Sequence, residues 1–387
     1  MSNKTYKIPT LPFDIDVETK AVLKQTNLAS RKLGELNGIV EKIPNPEILV
    51  RTLSLQEAKD SSSIESIITT HDELYKAEIV GAKYISPAAK EVSTYADALM
   101  EVTSQVTKNG LITEHLIKEI NRIIKHNDAG YTTTPGKALK NDRTQEVIYI
   151  PPQTIEEIQK HMRNLEAFIN DDSLSELDPL VKMAIIHHQF ESIHPFGDGN
   201  GRAGRVLNIV YLVSKGLLNM PILYLSRYIN HNKSEYYELL QNVRTQRNQK
   251  SWEAWILFIL KGVEISSDET IQFVRSISDL MMRFKHQIRD NRPKIYSQDL
   301  INNLFRHPYT KIEFVMNELR ISRPTAISYL NQLTEEGILT KLKLGRDNYY
   351  INEALYNLIL NAFHPESREE EEEEDTIFTE SKVLDDM

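Results

Sequence analysis

From about Val17 to Leu99 the apolar residues fall three and four positions apart, with interruptions at Pro44, Pro46 and Pro87. That is the spacing of helices burying one face, and it predicts an N-terminal helical unit over residues 1–105. From Leu111 to about Val263 run strongly periodic segments, LVKMAIIHHQF and RVLNIVYLVSK among them. They read as buried helices of a bundle and predict one domain over residues 106–265. Between its early helices lies TTTPGKALKNDRTQEVIYIPP, where Gly, Pro, Asn and Asp punctuate a short β-rich run ending in EVIYI. A hairpin at about 136–152 is expected there, standing on the helical body. A connecting helix over 266–295 leads to residues 296–364, where IEFVMNELRI, SRPTAISYLNQLTEEGIL and TKLKLGRDNYYIN give helix, helix and a ribbon turning at Gly345. This is a winged-helix pattern. The last stretch, 365–387, is dense in glutamate, repels itself and has little to bury, so it is expected to be disordered. The expected class is mainly α.

Composition narrows the chemistry. The chain has 387 residues, 40% hydrophobic and 26% charged, enough to bury a large core. No apolar stretch approaches the roughly eighteen residues of a membrane span, and the opening MSNKTYKIPT lacks the apolar core of a signal peptide. A cytoplasmic location with no membrane partner is the expectation. With no cysteine, disulfides, thiolate zinc sites and cysteine nucleophiles are excluded. The net charge of −9 argues against a surface that binds nucleic acid everywhere.

The informative chemistry lies between Ile193 and Arg205, where HPFGDGNGRAGR joins two apolar helices. Gly197, Gly199 and Gly201 let the backbone turn tightly at the start of the following helix, with amides directed inward to cradle an anion. Arg202 and Arg205, three apart, project from one helical face above that loop, an arrangement suited to a polyphosphate. Asp198 offers a hard oxygen ligand for Mg²⁺, and His194 at the loop entrance is the natural proton acceptor near neutral pH.

This stretch resembles the Fic motif, HxFx(D/E)GNGRxxR, at His194, Phe196, Asp198, Gly199, Asn200, Gly201, Arg202 and Arg205. The resemblance extends to the flap-like hairpin ending YIPP, to LYLSRYINHNKSEYYELL and to the winged-helix end. It implies a Fic/Doc protein adenylyltransferase with a Fic helical bundle, a β-hairpin flap and a C-terminal winged helix. The implied substrate is ATP with Mg²⁺, and the implied partner is a target protein bearing a Ser, Thr or Tyr hydroxyl. By that resemblance His194 is the general base, Asp198 the metal ligand, and Gly199, Asn200 and Gly201 the anion hole. Arg202 and Arg205 bind the β- and γ-phosphates, and Phe196 anchors the loop. Tyr236 and Tyr237 resemble an aromatic pair bordering the adenine, with helix-core tyrosines as the alternative. Glu146, Val147, Ile148 and Tyr149 align with the flap that lays the target in extended form over the site.

The segment DSSSIESIITT resembles the family's inhibitory helix, (S/T)xxxE(G/N), over about 57–68. Ser61 and Glu65 would share one polar face of a helix whose apolar stripe is Ile64, Ile67 and Ile68. Ser66 stands where Gly or Asn is usual. The resemblance implies that Glu65 pairs with Arg205 and displaces the γ-phosphate, inhibiting transfer to targets and to the protein itself. His187 and His188 are read as core and supporting residues, since no carboxylate or thiolate completes a zinc set with them. In the C-terminal module Arg323, Lys341, Lys343 and Arg346 could touch DNA phosphates, and dimer or partner contacts are the equal alternative. Two rival readings stay open. One is a nucleotide-sensing regulator whose winged helix binds DNA. The other keeps the fold but performs another nucleotidyl transfer, phosphocholine transfer or removal of AMP.

Overall fold

Side-chain caps set the ends of most helices. The structure, a computed structural model, describes residues 6–43, 46–71, 73–75, 86–128, 130–132, 134, 136–140, 144–306, 308–344 and 347–363. Pro44, the Gly345 turn with Arg346, and the acidic tail 365–387 lie outside the described residues. Helix α1 (Lys20–Val40) starts where Thr19 accepts from the Val22 amide at 3.3 Å. Helix α2 is Glu47–Ile64, and α3 (Pro87–Asn109) is opened by Ser86 with a proline in its first turn and closed by Gly110 at φ 74°. Thr113 caps α4 (Glu114–Lys125), Thr154 caps α5 (Ile155–Asn170) and Asp178 caps α6 (Pro179–Ile193). Then come α7 (Asn200–Ser214), α8 (Leu225–His231), α9 (Lys233–Gln246) and α10 (Gln249–Asn291). The molecule is mainly helical, and no helix among the described residues is long and apolar enough to cross a membrane.

Helices α6 and α7 form the centre of the first unit, which comprises Met1–Lys42, Leu49–Thr70 and Ile85–Thr270. Every residue of α6 from Leu180 to Ile193 is buried, and α7 is buried from Arg202 to Leu212. They pack on each other, with α5 and α1 against α6 and with α3 and α4 against α7. The N-terminal helices therefore share the central core. A two-stranded flap, β1 (Leu139–Lys140) and β2 (Val147–Tyr149), pairs antiparallel with a bulge. The predicted separate connecting helix over 266–295 is instead the latter part of α10. Nothing between Gln249 and Asn291 breaks the helix, and Pro293 follows its end.

The second unit contains residues from Ile271 onward, with the described residues of Ile43–Ile48 and His71–Tyr84. Here α11 (Gln298–Arg306), α12 (Ile312–Leu319) and α13 (Arg323–Glu335) pack in sequence, followed by α14 (Glu353–Phe363). Strands β3 (Tyr309–Lys311), β4 (Thr340–Leu344) and β5 (Asp347–Ile351) form an antiparallel sheet in the order β3-β5-β4. Leu300, Leu304, Leu330, Leu333, Tyr350 and Ile359 fill the core. Tyr75 joins it from far upstream, its ring 6.3 Å from Tyr309 and 6.1 Å from Tyr356.

Candidate functional site

The turn from α6 to α7 is built by backbone conformation and one asparagine. His194 ends α6 in the left-handed region at φ 50°, which costs an ordinary residue about 1–2 kcal/mol, and Gly199 follows at φ 81°. Asn200 ties the turn across, its Oδ1 accepting from the Phe196 amide at 2.8 Å and its Nδ2 donating to the Phe196 carbonyl at 2.9 Å. Phe196 is buried against Tyr131 and Phe190, which fixes the loop to the core. Asn121 of α4 donates to the Asp198 carbonyl at 2.9 Å, and a Cβ on Gly199 would meet that amide at 2.8 Å.

Glu65 bridges both motif arginines. Its Oε2 accepts from Arg202 Nε and its Oε1 from Arg205 Nη2, each at 2.8 Å. Arg205 also donates from Nε to Ser61 Oγ at 2.7 Å and from Nη2 to the Ser61 carbonyl at 2.8 Å. Burial opposes the Arg205 charge, but Glu65 foremost, with the neighbouring groups, more than offsets it and leaves the guanidinium firmly charged. Gly201 is required beneath this pair, because a Cβ there would run into Glu65 Oε1. The carboxylate does not ride on a helical face as the sequence spacing predicts. Helix α2 ends at Ile64, and Ser66 takes φ 64° with the Ile67 amide bonded back to the Ser62 carbonyl at 3.0 Å. This is a left-handed helix stop, a conformation that Gly and Asn adopt most easily. The apolar stripe accordingly breaks, for Ile64 is buried while Ile68 is 77% exposed.

A cavity of roughly 890 Å³ brings together Glu65, His194, Asp198, Gly199, Asn200, Gly201, Arg205, Tyr236, Tyr237 and Ile148. Arg202 lies behind its wall, 1% exposed, held by Glu65 and by a short contact with Glu91 of α3. Burial, then Lys137 and Arg244, holds the His194 imidazole well below its ordinary pKa, so its ring is neutral and able to accept a proton. Burial pushes the Asp198 carboxyl up, but Lys125, 2.6 Å away, outweighs it and keeps the group ionised. Among the described residues no three His, Asp or Glu cluster to hold a metal. The single, largely exposed Asp198 carboxylate fits Mg²⁺ that takes its remaining ligands from phosphate and water.

Tyr236 is only 1% exposed, its hydroxyl 2.9 Å from His187 Nε2 and its ring among Trp255 and Phe258, whereas Tyr237 is 44% exposed. His188 Nε2 meets the Leu240 carbonyl at 3.2 Å, so both histidines are core residues. In the flap, Glu146 and Ile148 are exposed, Val147 is half-buried and Tyr149 is buried. Tyr149 is a tether: its hydroxyl donates to the Ser192 carbonyl at 2.6 Å, and its ring lies 4.1 Å from the Arg244 guanidinium.

Sequence reasoning passed over several residues that complete the site. Lys137 of the flap donates to the Phe196 carbonyl and, at 3.4 Å, to the His194 carbonyl, and burial lowers its amine to about 8. Glu91 joins Arg202 to Lys125, and Glu191 lines the cavity one turn before His194. Arg244 donates to Ser192 Oγ at 3.1 Å and the Glu191 carbonyl at 3.0 Å. The local signal for Glu191 was a carboxylate inside a helix buried from Leu180 to Ile193.

Comparison with known proteins matches three family descriptions: Fic/DOC family N-terminal over residues 23–104, Fic/DOC family over 111–212, and the C-terminal domain of SoFic-like protein adenylyltransferase over 280–355. A probable protein adenylyltransferase of Aquifex aeolicus is 31% identical over 186 residues, 46% of this chain and 53% of that protein. The protein adenylyltransferase fic-1 of Caenorhabditis elegans is 25% identical over 130 residues, 33% of this chain and 23% of that protein. The chain thus spans about half the length of the first relative and about a quarter of the second. The crystal structure of a Fic family protein from Desulfovibrio desulfuricans G20 aligns with a TM-score of 0.57 at 20% identity, covering 88% of this chain and 97% of that one, a likeness of fold. The central match contains the His194–Arg205 loop, and the chain carries Fic/DOC family N-terminal and central domains followed by a SoFic-like C-terminal domain.

Proposed function

We propose that this protein transfers AMP from ATP to a Ser, Thr or Tyr hydroxyl of a target protein and of itself, in the cytoplasm, and that Glu65 holds it inhibited. The observation that carries the reading is the cavity where a neutral His194 faces a glycine turn and Arg205, with Glu65 on the arginines. The names of the Aquifex and Caenorhabditis relatives support adenylyl transfer. In the proposed step the target oxygen attacks the α-phosphorus, the bond to the leaving pyrophosphate breaks, and His194 takes the hydroxyl proton. Backbone amides at the start of α7 hold phosphate oxygens, with Arg202 and Arg205 neutralising the β- and γ-phosphates. Mg²⁺ held by Asp198 would neutralise charge between the α- and β-phosphates. Tyr236 and Tyr237 border the adenine, and the exposed edge at Glu146, Val147 and Ile148, tethered by Tyr149, receives the target backbone.

Glu65 and the γ-phosphate compete for Arg205, so each 1.4 kcal/mol favouring the Glu65-bound state lowers the competent fraction about tenfold. Incubating the protein with Mg²⁺ and ATP labelled at the α- or γ-phosphate, alone and with cell lysate, tests the reaction class. Retention of α-label only is expected, and Glu65→Gly should raise self-modification about ten- to a thousandfold. Transfer of γ-label, or no rise in Glu65→Gly, would discard this reading.

A further inference from the structure

Among the described residues, Arg205 donates every hydrogen bond of its guanidinium to Ser61 and Glu65. It is also buried, 3% exposed. If Glu65 leaves so that ATP can bind, Arg205 keeps its two bonds to Ser61 but loses its carboxylate partner, and a buried cation without a counter-charge is strongly disfavoured. A second carboxylate on the cavity wall would compensate that charge until the terminal phosphate arrives and would fix the direction of the guanidinium. Glu191 is that carboxylate in waiting: it is 7% exposed, lines the same cavity, and its buried Oε1 has no hydrogen-bond partner among the described residues. An unused acceptor at such depth is costly in the Glu65-bound state, which indicates that it is used in another.

Placement agrees. Gly201 and Gly204 lie one turn apart on α7, the first bare beneath Glu65 and the second bare beneath Glu191, where a Cβ would sit 2.8 Å from Oε1. The two carboxylates thus occupy successive bare turns on the helix that carries Arg205. Burial pushes the Glu191 carboxyl up to about 7, and of the charges acting on it Arg205 is the largest, then Arg244, with Glu65 opposing. His194 engages Glu191 through the backbone of that residue.

We propose that Glu191 is a positioning residue for Arg205, taking over its guanidinium when Glu65 withdraws and holding it toward the terminal phosphate of ATP. The proposal rests on the reading of Glu65 as the inhibitory group. It is tested in the Glu65→Gly protein, where α-phosphate transfer is followed against ATP concentration and the affinities for ATP and ADP are compared by calorimetry. Glu191→Leu in that background should lower transfer at least tenfold, chiefly by raising KM for ATP, and should erase the preference for ATP over ADP. Glu191→Gln, which keeps an acceptor oxygen, should restore part of both and serves as the test where the leucine variant does not fold. Once Arg205→Ala is present, either Glu191 substitution should cost no more than about twofold further. An equal loss with and without Arg205, or an unchanged ATP to ADP ratio, would overturn the proposal while leaving the Glu65 reading intact. Failure of Glu65→Gly itself to raise transfer would remove the Glu65 reading and this proposal together.

Discussion

Ser66 sits at φ 64°, in a conformation that costs a side chain about 1 kcal/mol and costs glycine almost nothing. The strain is present only while the chain stops α2 there and presents Glu65 to the arginines. Ser66→Gly should therefore favour the Glu65-bound state by about 1 kcal/mol and lower basal transfer roughly fivefold. A higher rate in Ser66→Gly, with Glu65 present, would contradict this account of the turn. His194 makes a different prediction, because it acts on the incoming hydroxyl and not on the nucleotide. His194→Ala should reduce α-phosphate transfer about a hundred- to ten-thousandfold while calorimetry shows ATP binding nearly unchanged. The loop residues were legible in the sequence because their chemistry is local, twelve consecutive positions with glycines where the backbone must turn. Glu91 and Lys137 were not, because each reaches the site from 111 and 59 positions away in the chain, a distance that no local period reports.

At the scale of elements, the apolar periods of α6 and α7 were read correctly because their burial is nearly complete. The end of α2 was misjudged: the stripe of Ile64, Ile67 and Ile68 continues on paper past a stop set by backbone geometry at Ser66. What holds α2 in place is also hidden from pattern, since Glu57 is a polar residue in full burial. Glu57 accepts from the Ser226 amide at 2.9 Å, from Tyr95 Oη at 3.1 Å and from Ser226 Oγ, fastening α2 to α3 and α8. Burial raises its pKa from 4.5 to about 7 despite these donors. The folded state then holds a proton that the unfolded chain releases, so this group's contribution is fully present below pH 4.5 and is lost as pH rises through about 7. Measured against Glu57→Gln, the stability of the parent should fall across that window and level off above it. The amide shifts the baseline of that comparison, not its slope. A difference that stays flat from pH 4.5 to 8 would show that Glu57 is not the titrating group.

Over the whole molecule, all the cavity-lining residues, from Ile64 to Arg244, belong to the first unit. Helix α10 carries Trp252 and Trp255, both buried, and Trp255 Nε1 donates to the Ala184 carbonyl of α6 at 2.8 Å. These anchors precede Tyr296, so ending the chain before Tyr296 keeps every residue assigned a chemical part. Within the second unit Tyr75, ten positions after Glu65 in the sequence, packs on Tyr309 and Tyr356. Removing those two rings leaves an otherwise buried tyrosine in water, a loss of about 1.5–3 kcal/mol of apolar burial for that stretch. The chain following Ser66 is then less firmly held, while every cavity-lining residue is kept. The shortened protein should accordingly transfer α-phosphate to itself at no less than the parent rate, with His194→Ala still abolishing the reaction. The measurement is self-modification by α-labelled ATP, alongside a melting curve showing that the first unit remains folded. A folded, truncated protein with transfer reduced more than tenfold would mean that the C-terminal unit supplies part of the active arrangement, and the assignment of the whole site to the first unit would have to be withdrawn.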